Sequence, residues 1–216
     1  MKTKLQIHSI FGNLLFEYEC EDNTIAKTVS EAVRSYANLS SANLSSANLS
    51  SADLSSANLS SANLSYANLS SANLRYADLS YADLRYADLS YADLSSANLS
   101  YANLSSANLR YADLSYADLS YADLRSANLR YADLSYADLR YADLSYAKTD
   151  KRYIQIGCIG SAKRMTTYCF EDDIVMCGCF TGTLKEFEKK VKENHKDNPQ
   201  YLKEYTGAIK YIKSLK

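Results

Sequence analysis

Between residues 36 and 145 the hydrophobic positions fall on a fixed five-residue beat: 22 consecutive units, each with Ala second and Leu fourth. The third residue is Asn or Asp, 11 of each, the first only Ser or Tyr, and the fifth only Ser or Arg. An amphipathic helix needs apolar residues near a 3.6 period, and a strand with one buried face needs a period of 2. A period of five satisfies neither for long. Within one unit Ala and Leu do share a face, because residues two apart in an extended stretch point the same way. The chain must then turn a corner so that the next pair also points inward, and four corners close a square. The pattern therefore predicts an all-β solenoid with four units per coil. Leu fills its axis and Ala sits where there is less room. The 22 units make about 5.5 coils, a rod roughly 26 Å long at strand spacing. The core runs through Leu39, Leu44, Leu84, Leu104, Leu124 and Leu144, with Ala37, Ala82, Ala102, Ala122 and Ala142 beside them.

Ser, Asn and Asp suit the corners, since their side chains hydrogen-bond nearby backbone groups in turns. The array holds no Gly and no Pro, so its turns are expected to be of a kind that ordinary L-residues tolerate.

The pattern changes at both ends, giving three regions: 1–35, 36–147 and 148–216. A stacked solenoid exposes an apolar layer and unpaired strand edges at each end, and these need covering. Leu5 and Ile7, then Leu14, Phe16, Tyr18 and Cys20, alternate like two strands around Gly12-Asn13. Ile25, Val29, Ala32 and Val33 then share a helical face behind the cap Asp22-Asn23-Thr24. Residues 1–35 thus read as a hairpin and short helix that cap the array. In residues 148–216, Tyr153–Ile156, Thr166–Phe170 and Ile174–Phe180 read as strands. Thr183 with Glu186 makes a capping box. Asn198-Pro199 starts a second helix with the stripe Leu202, Tyr205, Ile209 and Ile212. This region is expected to be the second cap.

The unit A-[ND]-L-[SR]-[SY] resembles the pentapeptide-repeat proteins. The resemblance implies a right-handed quadrilateral β-helix, with the family's central residue at Leu39 and every fifth position to Leu144, and its small inward residue from Ala37 to Ala147. Members of the family usually drift at every position and mix Phe with Leu, whereas here Ala and Leu never vary. That regularity looks like a consensus design with natural-looking ends. The segment YIQIGCIGS…TTYCFEDDIV…GCFTGTLKEFE resembles a C-terminal module of phage and bacterial members, which implies no particular activity.

Net charge is −1, so there is no global electrostatic case for nucleic acid or an anionic membrane. The distribution is uneven: the array carries 11 Asp and 6 Arg, the flanks 18 basic and 14 acidic residues. No run of residues is long and apolar enough for a transmembrane helix, and the N-terminus lacks a signal peptide's apolar core. Five Cys in no disulfide-like spacing point to reduced thiols and a cytoplasmic protein.

The Ser/Tyr choice is the array's main departure from monotony. With four units per coil, Tyr81, Tyr101, Tyr121 and Tyr141 form one column and Tyr91, Tyr111 and Tyr131 a second. Tyr116 and Tyr136 belong to a third, which Tyr36 and Tyr76 enter with Ser gaps, and Tyr66 and Tyr86 make a short fourth. Rings at coil spacing fall within the range of favourable aromatic pairs. They either shield the coil-to-coil hydrogen bonds or are themselves the purpose of the molecule, as ordered stacks or relays of electron holes. Asp columns such as Asp93/Asp113/Asp133 place like charges at coil spacing, where nearby Arg relieves them.

Catalytic and metal chemistry find little support. Cys177 and Cys179, with Cys158 and Cys169 in neighbouring strands, would make a four-thiolate zinc site, but paired CxxC spacing is lacking. His8 and His195 are isolated from any nucleophile. Glu171-Asp172-Asp173 reads as a turn. A filled square rod offers no cleft on which varied residues converge. The leading expectation is a non-catalytic scaffold that displays tyrosine ladders and needs no cofactor, nucleic acid or membrane, with self-association through a cap as its one contact. The resemblance also implies an alternative, an acidic rod that mimics duplex DNA and inhibits DNA gyrase. The modest charge, the interspersed Arg and the bulky ends weigh against it. A third reading is an interaction module of phage type acting through residues 148–216.

Overall fold

The computed structural model describes residues 1–151, 153–159, 164–177 and 180–216, without the side chains of 157–158 and 164–165. Two compact units emerge: Met1–Asp138 with Ala142–Asp150, and Leu139–Tyr141 with Lys151–Lys216.

In the first unit the third residue of each repeat bridges, in parallel, its counterpart four repeats later, from Asn43↔Asn63 to Asn128↔Lys148. Each coil therefore holds four repeats. Residues 61–65 show how one repeat satisfies all five of its backbone N–H groups. Ser61 N donates to Ser80 O at 2.8 Å and Leu64 N to Asp83 O at 2.8 Å, both in the next coil. Asn63 N donates to Ala42 O in the preceding coil at 2.9 Å, and Ala62 N closes the corner on Leu59 O at 3.0 Å. The fifth, Ser65 N, donates to the side-chain Oδ1 of Asn63 at 3.1 Å. That last bond is an Asx turn, and Asn and Asp supply the same acceptor oxygen to it. Position three can therefore be either residue, and the array uses both.

The corners differ from expectation. Each is a four-residue turn running from Leu to the next Ala, closed by the Ala N–H on the Leu carbonyl, as in Ala102 N to Leu99 O at 3.0 Å. Its third residue is the Ser or Tyr that opens the next repeat, and at all of these positions φ is about +55 to +62°. A positive φ there alone is the mark of a type II turn, which ordinarily selects Gly or Asn. L-residues in this left-handed region carry strain of roughly 1–2 kcal/mol each. The corners are therefore not ones that ordinary residues adopt freely. The two inter-coil bonds and the Asx bond beside each corner hold it in place.

Leu fills the axis. Leu39, Leu84, Leu104 and Leu124 are fully buried, Leu44 nearly so, and Ala82, Ala102, Ala122 and Ala142 are buried beside them. The exceptions lie toward the ends of the stack: Ala37 and Ala47 at its start, and Leu134 and Leu144 near its finish, are half-buried.

The N-terminal segment closes the first coil. Strands β1 (Lys2–His8) and β2 (Leu14–Glu21) pair antiparallel. Gly12, at φ +85°, takes the backbone between them through a region an L-residue resists. His8 O accepts from Asn43 N and Ser41 O from Ile10 N, each at 2.8 Å, so the hairpin end supplies the partners that a preceding coil would have offered. Helix α1 (Ile25–Arg34), capped by Thr24 Oγ1 on Lys27 N, feeds into the first corner. Its Val29 and Ala32 are as buried as the leucines they precede.

The second unit holds a four-stranded antiparallel meander of β3 (Tyr153–Ile159), β4 (Arg164–Cys169), β5 (Ile174–Cys177) and β6 (Phe180–Thr183). Helices α2 (Leu184–Asn194) and α3 (Pro199–Ser214) follow. The apolar run Ile174–Phe180, which reads as one strand, is two: Cys177 stands opposite Phe180, so the chain reverses inside it. Tyr168, Val175, Leu184, Phe187, Val191, Ile209 and Ile212 form the core of this unit. Among the described residues no helix is long and apolar enough to cross a membrane.

Removing the Asx acceptor separates its role from that of charge. Asn68→Asp keeps the bonds to Ser70 and is expected to change stability by less than about 0.5 kcal/mol, whereas Asn68→Ala should cost about 1 kcal/mol in a denaturant melt. At the corner, Ser96→Asn is expected to melt at or above the parent temperature, whereas Ser96→Val, β-branched at positive φ, melts below it.

Candidate functional site

Since positions two and four are consumed by the core, whatever distinguishes one repeat from another is presented outward at positions one, three and five. Position one builds the aromatic columns. Tyr81, Tyr101 and Tyr121 stack with ring centroids 4.8 and 4.6 Å apart and planes within 2° of parallel. Tyr91, Tyr111 and Tyr131 repeat this at 4.9 Å, tilted 13° and 8°. Tyr116 pairs with Tyr136, and Tyr66 with Tyr86, each at 4.9 Å. Tyr141 belongs to the second unit. The spacing is that of the coils, so the backbone ladder sets the ring register. Near-parallel rings this far apart fit offset stacks, a favourable aromatic geometry.

The columns differ in shielding. Tyr101, between two rings, is 47% exposed, against 62% for Tyr81 at the column's end. Desolvation pushes the Tyr101 hydroxyl above the usual phenol range, and Tyr121, Tyr81 and Asp118 add to the shift by repelling a phenolate.

Position three carries the carboxylates. Oδ1 serves the corner, and at Asp83 and Asp123, where an Arg follows two residues on, both oxygens meet it: Arg85 Nε donates to Asp83 Oδ1 at 2.8 Å and Arg125 Nε to Asp123 Oδ1 at 2.9 Å. Arg85 Nη2 lies 2.7 Å from Asp83 Oδ2, and Arg125 Nη2 2.7 Å from Asp123 Oδ2. Hydrogen bonds from these arginines hold both carboxyls below the ordinary range. Arg125 also approaches Asp143 at 3.9 Å, bridging two stacked carboxylates. Asn in the column makes a neutral link instead: Asn108 Nδ2 donates to Asp88 Oδ1, one coil back, at 2.9 Å. This side-chain amide ladder between coils gives the Asn/Asp choice a second role, which a corner preference alone does not suggest. Its signal in the sequence is the recurrence of Asn and Asp in the same column, one coil apart. Arg75 and Arg110 lie 5.5 and 5.2 Å from the ring centroids of the adjacent Tyr76 and Tyr111.

Elsewhere the candidate chemistry dissolves into local structure. Cys177 lies in the core of the second unit and its Sγ accepts from Thr166 Oγ1 at 3.0 Å. Burial pushes the Cys169 thiol up, and its Sγ lies 3.4 Å from Asp172 Oδ2. The Cys158 side chain and Cys179 lie outside the described residues. Among the described residues no three His, Cys, Asp or Glu side chains gather as metal ligands do. His195 caps α2 and stacks on Tyr205 at 5.0 Å, and the His8 carbonyl serves the first coil. Asp173 accepts from Tyr168 Oη at 2.7 Å and Lys216 Nζ at 2.6 Å, which makes it a structural tie.

The profile of the pentapeptide repeats, eight copies long, matches residues 37–75, 52–90, 77–115, 87–125 and 107–145, together about half of the chain. Among solved structures, the pentapeptide repeat protein Rfr23 from the cyanobacterium Cyanothece 51142 is 37% identical over 46% of this chain and 60% of its own, with a TM-score of 0.37. HetL from Nostoc sp. strain PCC 7120, involved in regulating heterocyst differentiation, is 40% identical over 49% of this chain and 60% of its own, at a TM-score of 0.30. The protein alr5209 from Nostoc PCC 7120 is 34% identical over 59% of this chain and 96% of its own, at 0.41. The chain thus spans about 60% of the length of the first two. Among curated proteins none matches.

The raised Tyr101 hydroxyl fixes a pH dependence. An unfolded tyrosine ionises near pH ~10, while the folded ring keeps its proton to higher pH. Stability from this group is therefore complete below pH ~10 and is lost as pH rises from there through the folded value. Tyr18 and Tyr168 are raised as well, so a spectrophotometric titration of phenolate absorbance should show several late-ionising tyrosines and one fewer in Tyr101→Ser.

Proposed function

The chain belongs to the pentapeptide-repeat family, and on that premise we propose that it is a non-catalytic scaffold whose purpose is to hold aromatic and charged side chains in register along a rod. One observation carries this reading. All variation between repeats is confined to the three outward positions, while the inward pair and the hydrogen-bond scheme repeat unchanged. The stacked tyrosines are the most ordered product of that variation. The invariance of Ala and Leu further supports a consensus-built array. No cofactor is required for such a role, and any partner would be met through the outward side chains or the flanking segments.

The gyrase-inhibiting alternative needs a continuous acidic surface. In its favour stand the 11 Asp of the array. Against it stand Arg85 and Arg125, which lie directly on Asp83 and Asp123.

Deleting residues 86–105, one complete coil, tests the scaffold. The shortened chain is expected to fold, with an unchanged circular-dichroism band shape and a lower melting temperature, because neighbouring coils present identical backbone edges. A chain that no longer folds would show that the array is not a uniform rod. In a DNA-supercoiling assay with gyrase, micromolar protein is expected to leave the rate unchanged. Salt-sensitive inhibition would replace the scaffold reading with the DNA-mimic one.

A further inference from the structure

One side of the first unit carries the array's longest unbroken run of stacked Asp, in repeats 91–95, 111–115 and 131–135, above repeats 51–55 and 71–75 of the same side. Its near edge is the ladder Tyr91, Tyr111 and Tyr131, and its far edge is the ladder Tyr116 and Tyr136. Between them runs the column Asp93, Asp113, Asp133, joined from coil to coil by parallel bridges, with Ser95, Ser115 and Ser135 alongside. The rings stand well out of the surface: Tyr91 is 62% exposed, Tyr131 57%, Tyr116 63% and Tyr136 68%. Two parallel aromatic walls with a carboxylate floor make a channel along the rod axis.

The charge of that floor sets it apart. On the opposite side Arg85 and Arg125 occupy Asp83 and Asp123. Here Arg75 approaches the first carboxylate, with Nε 3.8 Å from Asp93 Oδ2. Asp113 spends Oδ1 on the Ser115 N–H at 2.9 Å, and its Oδ2 meets no partner among the described residues. Stacked carboxylates one coil apart repel one another, and a cation lying between the walls relieves that repulsion. The walls prefer a flat apolar body, because offset rings leave part of each face uncovered.

We propose that this channel binds elongated planar aromatic cations lying parallel to the rod axis. Such a molecule spanning three coils is roughly 10 Å long at strand spacing. Its rings lie against Tyr91, Tyr111 and Tyr131 on one side and Tyr116 and Tyr136 on the other, with its positive charge over Asp113. A fixed channel also restrains rotation between linked rings, which is what makes a rotor dye fluoresce. The inference uses the display reading only in taking the rod as rigid. It stands or falls on this one side.

The test is a titration of the full chain with thioflavin T, a cationic benzothiazole rotor dye, at low salt. Expected is a saturable fluorescence gain of at least tenfold at one dye per chain. Asp113→Asn keeps the Asx turn, and Tyr111→Ser installs the array's other corner residue, so both variants are expected to keep the parent circular-dichroism spectrum. Asp113→Asn should weaken binding about threefold or more, and Tyr111→Ser should abolish the gain. Tyr86→Ser, on a different column, should leave it unchanged. An uncharged benzothiazole of the same shape should bind more weakly than the cation and ignore Asp113→Asn. The proposal is overturned if folded protein gives no gain, if Tyr111→Ser binds as the parent does, or if Tyr86→Ser removes the signal equally. It is also overturned if oligolysine competes while every aromatic substitution is silent, since charge alone would then explain binding. Loss of the circular-dichroism spectrum in the parent or in the coil deletion would instead count against the rigid scaffold.

Discussion

A chain that turns a corner every fifth residue gives up the uninterrupted backbone ladder of an ordinary strand. Four of the five N–H groups in a repeat recover a carbonyl partner, three from neighbouring coils and one across the corner. The fifth is met by the Oδ1 of position three, as in Ser70 N on Asn68 at 3.0 Å. Because this acceptor comes from within the repeat, the bond needs no neighbouring coil. A buried or half-buried N–H left unmet costs about as much as a lost hydrogen bond. Repeated along the stack, that cost would exceed what a small rod can spare. The single polar side chain that never leaves position three is therefore as structural as the Leu beside it.

That closure lets the array carry an unusual load of backbone strain. Every first-position residue, Ser or Tyr, sits at positive φ, where Gly or Asn would rest more easily. Gly would relax the corner but would place nothing on the outside of the rod, and it would loosen the unfolded chain. A Tyr at the same corner brings ring-on-ring contact with the Tyr one coil away, at 4.6 to 4.9 Å. Aromatic pairs contribute about 0.5–1.5 kcal/mol beyond area burial, comparable with the strain they sit upon. The ladders thus offset part of the distortion that the corner imposes. Ser brings no such contact, and it prevails in the early coils, where few Tyr neighbours stand in register for a ring to stack on.

How much of this can be read from the letters depends on whether a feature repeats. The four-repeat coil, the inward Leu and Ala, and the tyrosine columns all follow from period and identity alone, since the residues that stack are arithmetic once the square is granted. The left-handed corners are hidden, because Ser and Tyr are not residues that announce positive φ. Only the geometry of closing a square in five-residue steps demands it. The split of Ile174–Phe180 into β5 and β6 is equally hidden: an apolar run reads as one strand whether or not the chain reverses within it. The zinc reading of the cysteines weakens because Cys177 is drawn into a core with Tyr168 and Val175, a packing choice that spacing cannot reveal.

Position three also ties the fold to whatever the surface does. Its Oδ1 is fixed by the corner, so exchanging Asn for Asp alters the outward oxygen or amide and leaves the backbone alone. Along one column this yields neutral Asn–Asp links such as Asn98 to Asp78 at 3.2 Å. Along another it yields stacked carboxylates bridged by Arg125, and along a third the carboxylate floor between two tyrosine ladders. Charge on each side of the rod can thus be set without disturbing the corner, because the Asx bond beside it does not distinguish the two residues. A surface that varies while the Leu/Ala core and the backbone bonds stay the same is the physical basis on which a repeat this monotonous can still carry specificity.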